Sequence, residues 1–277
     1  MILNKRRSFF SFLPSFKGKI RISRLIYFNN QNLSKPYVLT LNKGVKMAVL
    51  NLIENIGYEL FINGIYESKL LHHLIRNLPL NGSFIDVGAN IGAISVPLAF
   101  NRPDLKIYAI EASPHIFKYL EYNKNINNLT NITLINKAIH IEDDLILDFF
   151  APKEKFGKGS FSNVFTNDAE KVVTAKMDSL IALHNIHPDY VKVDVEGYES
   201  YVFQSLNEYL NSNKKRPTII FEFVDWCERI ALGESEIGKA QQFLLDKGYR
   251  LFEFENQNNE IVRPITANSC DIIAFYK

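Results

Sequence analysis

Three charged residues alternate with valines in the run Val191, Lys192, Val193, Asp194, Val195, Glu196, and Gly197 then breaks it. Valine at every second position predicts a β-strand. On an edge strand the charges would face water. In a central strand they would face an interior, where an unpaired charge is expensive and has to be paired, neutralised or used. Asp194 and Glu196 stand at the carboxyl end of the run, the end at which open α/β sheets bind ligands. A carboxylate there can take a proton from a reacting group. Lys192 lies one step deeper on the same face and needs a partner. Glu222, within residues 218–224, has the matching depth on the following strand and is a candidate for that partner or for a further member of the site.

A second constellation is Asp86, Val87, Gly88, Ala89, Asn90, Ile91, Gly92, a strand end running into a glycine loop that opens a helix. Gly88 permits the tight turn, and Gly92 lets the first helical turn pack close to the sheet. Where dinucleotide folds prefer another glycine for a pyrophosphate stands Asn90, which crowds a diphosphate and suits a smaller zwitterionic group. Asp86 adds a negative charge that repels phosphates and attracts an ammonium or sulfonium. Glu111 ends the next strand, 19 residues after Gly92, where an acid binds ribose hydroxyls. Asn136, ending the third strand, is a candidate for contact with an adenine; the alternative is a turn residue bonding its own backbone.

The elements that must position these residues alternate. Strands are expected at 84–88, 106–111, 132–139, 190–197, 218–224, 249–254 and 271–277, with helices at 91–100, 114–127, 198–210 and 235–248. Such alternation predicts an α/β fold, a doubly wound and mostly parallel sheet with helices on both faces. In that sheet the strand of Val191 to Val195 is central. A stretch from about 140 to 176 changes character: strands at 145–150 and 171–177 flank a Gly- and Ser-rich loop, 155–163, which suggests a hairpin insertion that shapes an acceptor pocket or carries a lid. Phe223, Asp225 and Trp226 follow the fifth strand, where an aromatic can stack on a sugar or pack in the core. His72 and His73 are neighbours on a predicted helix within 66–80. Side chains one position apart point about 100° apart, so they do not form a metal pair and read as helix-surface histidines.

The chain has 277 residues, 47% of them apolar, and a formal charge of +2. That is enough for a sizeable core and too little charge to imply a nucleic-acid partner. Cys227 and Cys270 make no disulfide framework and show no metal spacing, which suits a reducing, cytoplasmic setting. No apolar run approaches the ~18 residues of a membrane span, and the N-terminus lacks the apolar centre of a secretory signal. The expected organisation is a basic and aromatic extension (1–35), a lead-in of β-strands plus a helix (36–80) and the ligand-binding domain (81–277). The extension places Lys5, Arg6, Arg7, Lys17, Lys19, Arg21 and Arg24 among Phe9, Phe10, Phe12 and Phe16. Two readings stand: a contact with the inner face of a membrane, or aromatics packed on the domain with solvated charges.

Together, residues 84–92, 110–114, 177–180 and 191–200, in this order, resemble the FkbM-type methyltransferases, a branch of the class I S-adenosylmethionine-dependent enzymes. The similarity covers about Asn81 to Phe223, and residues 63–75 are also in character. The resemblance implies a seven-stranded Rossmann-like sheet with its last strand antiparallel. It implies methyl transfer from S-adenosyl-L-methionine, commonly to hydroxyl oxygens of sugars or natural products. It places the loop of Gly88, Asn90 and Gly92 around the cofactor's methionine part and Glu111 on its ribose. Pro97, inside the first helix, departs from the pattern and is expected to remove a backbone bond.

The expected activity is therefore O-methylation of a small-molecule or glycan acceptor. Asp194 is the first choice for the base and Glu196 the second, with an ion-pair network that only fixes strand register as the alternative. A divalent cation held by Asp194, Glu196 and Glu222 is permitted but not required. N-methylation of a small molecule or protein is the runner-up. A nicotinamide-dependent oxidoreductase and a non-catalytic, membrane-associated binding module are the readings from other classes.

Overall fold

The computed structural model describes residues 3–5, 8–14, 16, 18–27, 31–152, 159, 161, 166–212 and 215–276. The lead-in comprises β1 (Leu3–Lys5), α1 (Lys19–Tyr27), β2 (Tyr37–Thr40), β3 (Lys46–Val49), α2 (Asn55–Asn63) and α3 (Ser68–Asn77). The alternating part follows with β4 (Ser83–Val87), α4 (Ser95–Asn101), β5 (Lys106–Ile110), α5 (Pro114–Ile126), β6 (Ile132–Ile135), β7 (Ala138–Ile139), β8 (Ile146–Phe150), β9 (Ala169–Ala175), α6 (Met177–His184) and β10 (Tyr190–Val193). It closes with α7 (Glu199–Gln204), α8 (Asn207–Ser212), β11 (Thr218–Val224), α9 (Asp225–Leu232), α10 (Lys239–Asp246), β12 (Tyr249–Glu253), β13 (Glu260–Ile261) and β14 (Ser269–Tyr276).

The large sheet runs β13-β12-β14-β11-β10-β4-β5-β6 among the described residues. Strands β11, β10, β4, β5 and β6 are mutually parallel, and β14 is antiparallel to both β11 and β12. Alternate residues feed two cores. Phe84, Ile107, Ala109, Ile132 and Ile220 meet α2, α3, α4 and α5 on one face. Ile85, Val87, Val191, Val193 and Phe221 meet α6, α7, α8 and α10 on the other. Both faces being covered explains why β4 and β10 are buried along their whole length, as parallel strands are. Strand β10 lies between β4 and β11, so the charges that follow Val191 belong to a central strand.

The structure departs from the expected elements at several points. The two-residue β13 makes an eighth strand by pairing Ile261 with Leu251 at the sheet's edge. The expected third strand splits into β6, in the large sheet, and β7, which joins β9 and β8 in a separate three-stranded sheet. The insertion is the expected hairpin, β8 antiparallel to β9; its 155–163 loop lies outside the described residues except for Gly159 and Phe161. The helix expected at 198–210 breaks into two because the Asp178 carboxylate accepts the N–H groups of Glu208 and Tyr209 at 2.9 Å each, capping α8 as a new helix. Pro97 costs α4 no bond. The helix begins only at Ser95, so Pro97 sits in the first turn, where N–H groups have no intrahelical acceptor. His73 is half-buried with its ring against Tyr190 and Phe254, rather than on a free helix surface.

The lead-in packs into the same core. Leu39, Met47, Leu60 and Ile62 share one cluster with Phe84, Ile91 and Ile107. Asn123 of α5, fully buried, ties the parts together. Its Oδ1 accepts from Ala48 N at 2.6 Å, and its Nδ2 donates to Ala48 O at 3.0 Å and Ile91 O at 2.9 Å. Strand β3 and the glycine loop are thus bonded to one side chain.

Candidate active site

A cleft of about 280 Å³ opens at the carboxyl ends of β4, β5, β10 and β11. The glycine loop and Glu111 form one wall, and Lys192, Asp194, Glu196 and Glu222 another. The lead-in contributes Glu54, Asn55, Tyr66 and Glu67, and the insertion contributes Phe149 and Phe161.

The first wall is built by backbone geometry. Gly88 adopts φ +78°, and a Cβ placed on it would run into the carbonyl oxygen of Asp194. Glycine is therefore required where the loop passes β10. A Cβ on Gly92 would meet Leu120 Cδ1 at 2.7 Å and Val96 Cγ2 at 2.8 Å, so this position lets the loop seat against α5. Asn90 takes φ +53°, a left-handed conformation that asparagine tolerates; its Oδ1 accepts from Ile91 N at 2.8 Å. The N–H of Asn90 donates to Glu111 Oε2 at 2.9 Å, and that of Ser113 donates to Oε1 at 2.8 Å. Burial pushes the Glu111 carboxyl up to about 7; the two N–H groups pull the other way, and Asp86 and Asp194 add to the rise.

The second wall is organised around a buried ammonium. Register sets Lys192 opposite Asp86 across β10 and β4. Lys192 Nζ lies 3.1 Å from Asp194 Oδ2 and 3.6 Å from Asp86 Oδ1. Burial alone would lower the lysine; Asp194, Asp86 and Glu67 outweigh it and hold the ammonium well above the ordinary lysine range. Lys192 is thus paired with Asp86 and Asp194, with Glu67 adding its charge. Of the two roles open to Glu222 from strand depth, partner of Lys192 or further member of the site, the structure gives it the second. Parallel register, which sequence depth does not fix, decides it. Glu222 instead stands opposite Asp271 across β11 and β14. Glu222 keeps solvent contact at the cleft mouth, and its carboxyl is raised by its surroundings in the cleft and by the charges of Asp194, Asp271, Glu196 and Glu67. Glu67 behaves alike: burial raises it to about 7, Lys192 pulls it down, and Asp194 and Asp271 push it up.

After β10 the chain turns sharply. Glu196 and Gly197 both have positive φ, +52° and +98°, and a Cβ on Gly197 would meet the backbone of Cys227 at 2.7 Å. The Cys227 thiol donates to Glu196 Oε2 at 3.3 Å. The buried Glu199 carboxylate accepts from Val195 N and Gly197 N, which fixes the turn from beneath.

Of the residues expected at the site, Asp86, Gly88, Asn90, Glu111, Lys192, Asp194, Glu196 and Glu222 all line the cleft. The Asn136 amide instead donates to Glu111 O at 2.8 Å and Ala112 O at 3.1 Å, clamping the strand ends, while its neighbours Lys137 and Ala138 reach the cleft wall. Phe223 is core and Trp226 is partly exposed; neither is among the cleft's lining residues. The aromatic side of the cleft comes from Phe149, Phe161 and Tyr198, whose successive ring centroids are 5.4 and 5.0 Å apart. Tyr66, Glu67 and Asp271 were not expected. The cue for Glu67 is the tripeptide Tyr-Glu-Ser, which opens α3 at 66–68 and α7 at 198–200 alike.

Among the described residues no group of three or more His, Cys, Asp or Glu is placed to hold a metal ion. The expected set of Asp194, Glu196 and Glu222 does not converge as ligands, since Asp194 faces Lys192 and Glu196 faces Cys227. The donor set does fit a cationic, ribose-bearing molecule. Asp86 Oδ1 is buried without a hydrogen-bond partner, its other oxygen taking the Ser95 hydroxyl at 2.5 Å. Glu111 offers carboxylate oxygens beside a cradle that a Cβ at Gly88 would fill.

The family model "Methyltransferase FkbM domain" matches residues 86–251. A 100-residue stretch, 34% of the chain, is 33% identical to the ribosomal RNA small subunit methyltransferase G of Mycoplasmopsis pulmonis; the match spans 43% of that protein's length. Among solved structures, the chain is similar to precorrin-6y C5,15-methyltransferase from Geobacter metallireducens (17% identity, 76% of this chain and 87% of that one, TM-score 0.43). It is also similar to TYW2 from M. jannaschii in complex with AdoMet (13% identity, 86% and 84%, TM-score 0.42). With the family model spanning more than half of its length, the chain belongs to the FkbM methyltransferase family, whose cofactor is S-adenosylmethionine.

Proposed function

We propose that the protein transfers a methyl group from S-adenosylmethionine to a hydroxyl oxygen of a small-molecule or glycan acceptor, acting in a reducing, cytoplasmic compartment. The observation that carries this reading is the Lys192–Asp194 pair set among Glu67 and Glu222 at the point where the glycine loop meets β10.

Bound S-adenosylmethionine supplies an electrophilic methyl group on a sulfonium. Asp86 and Glu111 hold the cofactor side through charge and hydrogen bonds. Asp194 presents a carboxylate to the acceptor, with Lys192 fixing its orientation, and takes the acceptor proton as the methyl transfers. Glu67 and Glu222, whose carboxyls titrate near neutrality, can hold that proton as it leaves. Glu196, turned toward Cys227, shapes the exit of the chain from the site.

Two features support a hydroxyl acceptor over an amine. A cleft holding several carboxyls raises the pKa of a bound amine and keeps it an ammonium with no lone pair to attack; a hydroxyl loses its proton to the base during transfer. The aromatic trio Phe149, Phe161 and Tyr198 offers faces for the apolar side of a sugar ring.

Incubation of the protein with methyl-labelled S-adenosylmethionine and cell-envelope glycan fractions tests the proposal. Label recovered as an O-methyl ether supports it; label recovered only on amines or RNA overturns it. Calorimetry with S-adenosylhomocysteine and with NAD separates the cofactor classes, and NAD binding without a response to the homocysteine ligand would sink the reading.

A further inference from the structure

Helix α1 turns two of its polar residues toward the protein: Lys19 Nζ donates to Leu13 O at 2.9 Å, and buried Ser23 accepts from the Tyr58 hydroxyl at 2.9 Å. Ile20 and Tyr27 pack against the core, while three apolar residues face water beside the exposed Arg21 and Arg24. Ile22, Leu25 and Ile26 are 45, 79 and 64% exposed, and their i, i+3, i+4 spacing puts them on one stripe. The preceding turn, Phe9–Phe12, sends Phe10 into the core and leaves Phe9 and Phe12 at 70 and 73% exposure. The expectation that the extension packs its aromatics on the domain therefore holds for Phe10 alone among these three.

Charge singles out the same segment. The first 53 residues contain ten Lys and Arg and no Asp or Glu, so they carry +10 while the remainder carries −8. Arg21 and Arg24 flank the apolar stripe on α1. A solvent-facing apolar stripe on a helix whose inner face is already satisfied marks an interaction surface. Cations beside Leu, Ile and Phe fit the boundary between anionic headgroups and acyl chains. The basic, acid-free segments of two copies would repel each other, and aliphatic side chains at the centre of the stripe gain nothing from a phosphate backbone.

We infer that α1 and the Phe9–Phe12 turn form a docking face for a bilayer rich in anionic lipid. The face adjoins the cleft. Arg24 Nη2 donates to Asn55 Oδ1 at 2.6 Å and stacks over Tyr58 at 5.1 Å, and Asn55 lines the cleft wall. Docking therefore sets the cleft rim beside the headgroup layer, where an acceptor carried by a lipid would arrive. That last step rests on the methyl-transfer reading; the docking itself does not.

Sedimentation of the full chain with vesicles of phosphatidylcholine, alone or with about one third phosphatidylglycerol, tests the inference. The expected result is binding to the anionic vesicles only, released by salt. Leu25→Glu combined with Ile26→Glu should weaken it at least about tenfold, since both lose buried apolar area. Arg21→Ala, at a solvent-facing side chain, should weaken it about fivefold, the ratio equivalent to ~1 kcal/mol per cation. S-adenosylhomocysteine affinity should stay at the wild-type value in both variants, which reports an intact fold. Equal behaviour with the two vesicle types, undiminished binding in the variants, or binding to a single-stranded RNA probe with none to vesicles would overturn it.

Discussion

Glu111 and Glu222 both sit above the ordinary carboxyl range, at about 7 and about 8, yet their surroundings are opposite. Two backbone N–H groups are aimed at the oxygens of Glu111, whereas Asp194, Asp271, Glu196 and Glu67 crowd Glu222. The loop end of the cleft is thus a hydrogen-bonded frame whose carboxyl has a fixed orientation. The β10–β11 end is a cluster in which like charges compete for protons around a single ammonium. The first arrangement suits recognition of a polar ligand, and the second suits moving a proton.

The largest expected effect comes from joining the two ends by force. Gly88→Ala puts a methyl group into the Asp194 carbonyl at a positive φ, a conformation alanine resists by more than about 1 kcal/mol before the collision is counted. Binding of S-adenosylhomocysteine should be lost and the melting temperature should fall, both measurable by thermal shift with and without ligand. Asp194→Asn acts only on the proton-moving end. Turnover should drop by roughly 10²–10⁴ while homocysteine-ligand affinity stays within about tenfold; an active variant would break the contrast and move the base to Glu196 or Glu222. Glu111→Gln acts on the frame. It should weaken cofactor binding by about 10- to 100-fold, the value of a hydrogen bond to a charged group, with a smaller change in the rate at saturation.

The smallest effect is in stability against pH. Glu199, buried beneath the turn after β10, is pushed up to about 8, chiefly by burial. Its folded-state value exceeds the unfolded one, so the folded chain holds the proton longer and stability falls as pH rises from about 4.5 through 8. Glu111 and Glu228, both raised to about 7, push in the same direction. The melting temperature should decline between about pH 5 and about pH 8, and less steeply in Glu199→Gln, which keeps an acceptor for Val195 and Gly197.

Legibility in the sequence followed the range of the forces involved. The glycine loop, its flanking strand and helix, and Glu111 could be read because a tight turn and a strand end are local. The depth order of Lys192, Asp194 and Glu196 could be read because strand alternation is local too. The partner of Lys192 could not, because Asp86 becomes its neighbour only through the parallel register of β10 and β4. Glu67 was hidden because it arrives from the lead-in, more than a hundred residues from Asp194. Helix α2 was hidden because it is buried on nearly every side and so shows no amphipathic period. The basic, aromatic character of α1 was visible, but which of its faces meets the protein is settled by Tyr58, Leu13 and Asn55, all distant from it or on other elements.

Asn123 turns this architecture into a remote sensor. Its side chain bonds both the N–H and the carbonyl of Ala48 and the carbonyl of Ile91, so β3 and the glycine loop share one buried anchor. A ligand that stabilises the loop is expected to slow hydrogen exchange at the Ala48 amide, by up to the factor that its concentration and dissociation constant set. An amide in the lead-in sheet thus reports, from outside the family-matched region, whether the cofactor is bound.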